Sequence, residues 1–410
     1  MKRCLSLLMI LPLSAATVLL NGADVEPVKT AHFRPCYILS NEQTEVAVTQ
    51  EGGQMAPVVF FRNTEHPARP YHLSPWQSEP RTEMPAPVLK CLRGDFFCLP
   101  FGGNSQSVDG ELHPPHGEIV GSAWTSRGVS RKGDVTTLTL SIETKIHPGR
   151  VTKALSLVQG QNVVYSRHLV EGFAGQFPLG HHATLSMPDE EGSVRIATSP
   201  LKFGMTAPGL FSNPLQREYQ ALLPGARWTN LTQVPVAWKG GADADLSRMP
   251  GRQGHSDLVQ LVNQERSSTS GPAWTTATFQ SRGYLWFALK DAAILNSTVL
   301  WMENRGRHGA PWNGRNNCLG IEDVTAFFAD GLAASRAGNA LSREGVMTTV
   351  NLPIGKPTAV NYIQGVAKIP SGFENVLTVE FEPGMVTFVS VTGQRISTPV
   401  RHDFLISGTL

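Results

Sequence analysis

Period-two alternation constrains this chain more than any other feature. Thr136, Leu138, Leu140 and Ile142 face one way, with Thr137, Thr139 and Ser141 opposite, and the segments Leu155-Leu157, Val163-Val164-Tyr165 and Val376-Leu377-Val379-Phe381 behave similarly. Such alternation is the mark of half-buried strands. Sustained helical periodicity is scarce, and Val324 to Ala337 is the one stretch whose Ala, Phe and Leu spacing suits a turn or two of helix. The 39 glycines and 29 prolines are spread along the chain as turn punctuation between short segments. Short strands with frequent turns predict an all-β fold, a large antiparallel β-sandwich, and not alternating βαβ units. A length of 410 residues would ordinarily suggest two or three domains. No repeat or low-complexity linker divides the sequence, so residues 24–410 are expected to form a single domain. Residues 64–90, rich in Pro, Glu and Ser around His72, Trp76 and Pro85, read as a long surface excursion of the functional or disordered kind.

The first residues set the expected compartment. Met1-Lys2-Arg3 is a basic head, and Leu5 to Leu20 is an apolar run broken by Pro12 and small residues. This is the layout of a signal peptide, residues 1–23, with cleavage near Ala23-Asp24. The mature chain is thus expected to be exported, periplasmic or secreted, with no membrane attachment after cleavage. A formal net charge of +2 provides no electrostatic footprint for nucleic acid or an anionic membrane, whereas neutral, hydroxyl-rich ligands fit. Four cysteines follow the leader, Cys36, Cys91, Cys98 and Cys318. Either structural bridges or buried free thiols suit them, and four cysteines allow three complete pairings.

Four segments carry side chains capable of chemistry. Leu92 to Asn104 places Arg93 and Asp95 around Gly94 before an aromatic run, and a buried strand with an Arg93–Asp95 ion pair is its plain structural reading. His113-Pro114-Pro115-His116-Gly117-Glu118 is followed by Trp124, whose ring offers an apolar face to a sugar. The H-x-x-H spacing without a carboxylate helix does not make a zinc site. Gly180-His181-His182 enters an alternating strand, where a histidine is more often packed than catalytic. Gly314 to Thr325 contains Glu322 at the end of a short apolar run, where burial would raise its basicity.

Taken in order, these segments resemble the galactose mutarotase-like superfamily, the aldose 1-epimerases. Val46-Ala47-Val48 before Gly52-Gly53 is similar to its opening hairpin, and Arg93-Gly94 with Pro100-Phe101-Gly102 to the segment lining its sugar pocket. His116-Gly117 with Trp124 resembles the histidine-glycine motif. His182-Ala183-Thr184-Leu185-Ser186-Met187 resembles the strand carrying the general acid. Leu223-Pro224-Gly225 resembles a later turn, and Gly320-Ile321-Glu322 the segment of the catalytic base. The proline and aromatic pair that follow the family's acid histidine are absent, so either His181 or His182 can occupy that place, and the spacing of Leu185, Ser186 and Met187 favours His182. The family's sugar-contacting aspartate has no clear counterpart among Asp243, Asp245 and Asp257.

The resemblance implies a β-sandwich of the supersandwich type that interconverts sugar anomers by acid–base ring opening, without metal or organic cofactor. Glu322 would be the base and His182 the acid, with Arg93, His116, His181 and Trp124 at the mono- or oligosaccharide. Free histidine and glutamate titrate at about 6.5 and 4.3, close to the states this reaction requires. A non-catalytic carbohydrate-binding protein on the same fold is the alternative. A polysaccharide hydrolase or lyase would call for a further carboxylate or tyrosine, and none is evident. Oligomeric state is not readable from the sequence.

Overall fold

The alternating segments form antiparallel strands. In the computed structural model, which describes residues 28–80, 83–210, 212–264 and 271–410, Thr136 to Ile142 lie within the strand Val135–Thr144, with Leu138 and Leu140 fully buried. The other three segments lie in the strands Gly149–Val158, Val163–Glu171 and Val376–Glu382. The basic head, the apolar run and the expected cleavage point near Ala23-Asp24 fall outside the described residues.

Two large sheets carry the architecture. A nine-stranded sheet runs from Arg248–Met249 at one edge through Tyr284–Lys290 and Thr358–Lys368 to Thr125–Lys132 at the other. An eight-stranded sheet runs from Arg227–Trp228 through His255–Asn263, Ser297–Asn304 and Asn317–Thr325 to Phe97–Cys98. Leu138, Val164 and Trp286 of the first join Val259, Val299 and Ile321 of the second in one buried apolar cluster. Each such side chain contributes about 1.5–3 kcal/mol on burial.

A three-stranded sheet, Val376–Glu382, Met385–Ser390 and Arg395–Pro399, covers the outer face of the nine-stranded sheet. There Phe388 packs on Phe287 and Phe404 on Tyr165, with ring centroids 5.0 and 5.3 Å apart. Covering both faces removes the reason for alternation. Tyr284–Lys290 is accordingly buried at every position.

The stretch Val324 to Ala337 contains one short helix, Leu332–Arg336, after Val324 and Thr325 end the strand Asn317–Thr325. Among the described residues of 64–90 the excursion is anchored: Trp76 is fully buried and its indole N–H donates to the Leu89 carbonyl at 2.8 Å. The four cysteines are buried free thiols.

Candidate functional site

Strand parity separates His181 from His182. The strand Asn317–Thr325 pairs on either side of them in one register, Gly180 opposite Val324 and Ala183 opposite Ile321, which sets His182 across from Glu322. Successive side chains point to opposite faces of a sheet. Asp323 therefore turns into the interior, where it meets Lys290 and Tyr362 of the opposite sheet. Glu322 turns outward, and its Oε1 lies 3.1 Å from His182 Nε2. Gly320 makes this possible: a Cβ there would sit 2.6 Å from Glu322 Oε1.

Both members of the pair are enclosed. The His182 ring stacks on Phe96 with centroids 4.5 Å apart, and its Nδ1 lies 3.1 Å from the Thr184 hydroxyl. Burial pushes the Glu322 carboxyl well above the usual carboxylate range. Burial, reinforced by neighbouring His116, holds the His182 imidazole well below the usual histidine value. The 3.1 Å contact favours charge separation and so opposes both effects. Burial thus favours the uncharged forms of both groups and their contact the charged ones, and Glu322 Oε2 has no hydrogen-bond partner among the described residues.

His116 reaches the same place from a strained turn. Its backbone is left-handed, at φ 63°, and its N–H donates to the Gly102 carbonyl at 2.7 Å. Gly117 follows at φ 86°, where any Cβ would run into the Leu99 carbonyl. The His116 ring stands edge-on to His182 at 5.0 Å and to Phe101 at 5.1 Å, with Nδ1 3.6 Å from Cys98 Sγ. Burial lowers its pKa to about 4, so it is a neutral hydrogen-bonding group.

Glu322, His182 and His116 line a cavity of about 300 Å³. Two loops complete it. The loop between Ser297–Asn304 and Asn317–Thr325 supplies Arg307 and Trp312, while the 64–90 segment supplies Pro85, Ala86, Val88 and Leu89. The loops are joined by Trp76 against Trp312, ring centroids 4.8 Å apart, and by His72 Nε2 at 2.8 Å from Asn316 Oδ1. Trp301 and Trp312 meet edge-on at 5.7 Å and form an aromatic corner beside the His–Glu pair. Sequence reasoning missed Phe96, Trp301, Arg307 and Trp312. The run Arg305 to Asn317, dense in Arg, Gly and Asn around Trp312, was the available signal.

Three expected ligand residues lie elsewhere. Arg93 is fully buried and donates to the carbonyls of Ala31, His32, Ala56 and Cys91 and to Gln77 Oε1, at 3.0 to 3.3 Å. It forms no ion pair with Asp95, which instead binds His181 Nδ1 at 2.9 Å. His181 is thereby held in the interior, stacked on Tyr362 at 4.2 Å. Trp124 is also buried; its indole N–H donates to the Ile119 carbonyl at 2.9 Å, and Lys153 lies over its ring. None of the three lines the cavity. No group of three His, Cys, Asp or Glu side chains placed to hold a metal occurs among the described residues.

Neither family models nor curated protein sequences give a match to this chain. Solved structures do. A proposed aldose 1-epimerase from Klebsiella pneumoniae is similar with a TM-score of 0.56 and 11% identity, over 80% of this chain and 78% of its own. A proposed aldose 1-epimerase from Escherichia coli K12 gives 0.51 and 16%, over 82% of this chain and 99% of its own. A galactose mutarotase-like protein from Clostridium acetobutylicum gives 0.52 and 9%, over 84% and 98%. Identities this low speak for architecture alone. This chain has the galactose mutarotase-like β-sandwich fold.

Proposed function

We propose that this chain binds a monosaccharide and interconverts its anomers by general acid–base catalysis. The observation that carries this reading is the 3.1 Å contact of His182 Nε2 with Glu322 Oε1 in an aromatic-walled cavity. The cavity is at the small end of ligand sites, which suits one sugar ring. Trp301 and Trp312 offer apolar faces to its C–H groups.

The anomeric and ring oxygens of an aldose share one carbon, so neighbouring groups can serve both. Glu322 takes the proton of the anomeric hydroxyl. The C1–O5 bond breaks with its electrons passing to O5, C1=O1 forms, and His182 Nε2–H protonates O5. The step starts from the charge-separated form of the pair, which the 3.1 Å contact favours, and leaves a protonated Glu322 beside a neutral His182, the form that burial favours. Rotation about C1–C2 and the reverse transfers close the ring on either face. His116, neutral and fixed, is placed to hydrogen-bond a sugar oxygen. General acid–base assistance of this kind is worth about 10²–10⁴-fold.

A binding-only role is favoured by one observation, the engagement of Arg93 with backbone carbonyls away from the cavity. NMR saturation exchange between anomers of a panel of aldoses decides between the two. Acceleration that vanishes in Glu322→Gln supports catalysis, and sugar binding without acceleration overturns it. Export, as the leader suggests, belongs to the same proposal and is checked by the N-terminal residue of the secreted chain.

A further inference from the structure

We propose that Cys98 is a positioning residue whose thiol donates to His116 Nδ1, so that the imidazole meets the cavity as a hydrogen-bond donor through Nε2; its role toward a ligand rests on the sugar-binding reading above. The sheet brings the two groups together. Cys98 pairs with Gly180 and Phe97 with His181, and successive side chains point to opposite faces. Phe97 accordingly stacks on His168 of the opposite sheet, with centroids 4.3 Å apart. Phe96 and Cys98 face the other way, where Phe96 stacks on His182 and Cys98 Sγ lies 3.6 Å from His116 Nδ1.

The thiol is the only hydrogen-bond partner of the His116 ring among the described residues. Phe96, Phe101 and His182 surround that ring edge-on at 6.1, 5.1 and 5.0 Å, contacts that fix its plane but not its proton. Both nitrogens of His182 are engaged elsewhere, Nε2 by Glu322 and Nδ1 by the Thr184 hydroxyl. His116 lines the cavity, and its Nε2 is left for a ligand there.

The direction of the contact follows from the protons. A neutral imidazole carries one N–H, and the hydrogen bond made at one nitrogen decides which of the two bears it. Burial, with the Glu322 and Asp95 carboxyl groups nearby, pushes the Cys98 thiol well above its ordinary value, so it keeps its proton. Cys98 is fully buried, and its S–H has no other acceptor among the described residues. A bare Nδ1 accepts that proton. A protonated Nδ1 would instead confront it with a second one and turn the ring's better donor toward sulfur, a weak acceptor. With Nδ1 bare the ring proton stands on Nε2, and His116 donates to a sugar oxygen instead of accepting from a hydroxyl.

Imidazole 15N NMR of the full chain near neutral pH reads the tautomer, with the His116 signals assigned by their loss in His116→Gln. A protonated Nε2 and a bare Nδ1 are expected. Infrared difference spectra against Cys98→Ala should show the Cys98 S–H stretch at lower frequency than that of a free thiol. Cys98→Ala is expected to populate both tautomers and to weaken aldose binding about two- to tenfold, in proportion to the Nε2–H fraction lost. A wild-type ring protonated at Nδ1 would overturn the inference, whether or not sugars bind and even if Cys98→Ala fails to fold. So would a tautomer that is unchanged in a folded Cys98→Ala protein. Failure of every aldose to bind a wild-type chain that carries Nε2–H would overturn the sugar-binding reading and leave the thiol–imidazole arrangement in place.

Discussion

The Tyr362 hydroxyl donates to Asp323 Oδ2 at 2.7 Å, tying the strand that carries Glu322 to the opposite sheet. Asp323 Oδ1 also receives Lys290 Nζ and the Thr298 hydroxyl, each at 2.6 Å. The residue beside the candidate base is thus clamped from within, which limits the freedom of Glu322 itself. Burial lowers the Lys290 pKa, and Asp323 opposes that effect. Asp323→Ala, which strands the Lys290 ammonium, is expected to destabilise the chain by about 3–5 kcal/mol. Tyr362→Phe should cost about 1 kcal/mol. Urea unfolding measures both.

Anomer exchange should require one shared proton on the His182–Glu322 pair. A second proton would have to enter a buried imidazole, whose pKa is lowered, so the acid limb falls well below 6.5. Loss of the proton would leave a buried carboxylate, whose pKa is raised, so the basic limb lies well above 4.5. The expected pH–rate profile is a broad plateau between these limits. A rate that follows a single ionisation near 6.5 would contradict the shared proton.

Glu322 also sets a pH dependence of stability. Its carboxyl pKa is raised on folding, so the stability it contributes is fully present below its unfolded value and is lost as pH rises through the folded value. Glu322→Gln has no such loss. The variant should therefore gain in Tm relative to wild type on going from pH 5 to pH 9, as differential scanning calorimetry will show.

Gly320→Ala tests the space reserved for the carboxylate. The added Cβ would sit 2.6 Å from Glu322 Oε1, and the carboxylate must move away from His182. At least a tenfold fall in anomer exchange is expected, with the far-UV circular dichroism unchanged. Displacements of about 1 Å commonly cost that much.

Arg93 and Trp312 should separate cleanly. Arg93→Met leaves several backbone carbonyls without donors and is expected to destabilise by more than about 2 kcal/mol. Sugar affinity of the folded fraction should stay the same, because Arg93 does not line the cavity. Trp312→Ala should do the reverse, weakening sugar binding about tenfold with a smaller loss of stability. Isothermal titration beside thermal unfolding distinguishes the two.

By itself, the sequence determined the strand-dominated class, because half-buried strands such as Val135–Thr144 must alternate, and it singled out His116, His182 and Glu322, which the fold brings together. The resemblance left His181 and His182 open while favouring His182, and the register against Asn317–Thr325 set His182 toward the cavity and His181 toward the interior. The family resemblance placed Arg93 and Trp124 at a ligand; tertiary packing buried both, since a guanidinium ringed by carbonyls is satisfied without a sugar. Strand Tyr284–Lys290 shows no alternation, because a third sheet covers its outer face. The cavity walls were equally out of reach. Val88, Leu258, Trp301 and Trp312 are far apart in the chain; strand pairing sets Leu258 opposite Trp301, and loops bring Val88 and Trp312 to the same cavity.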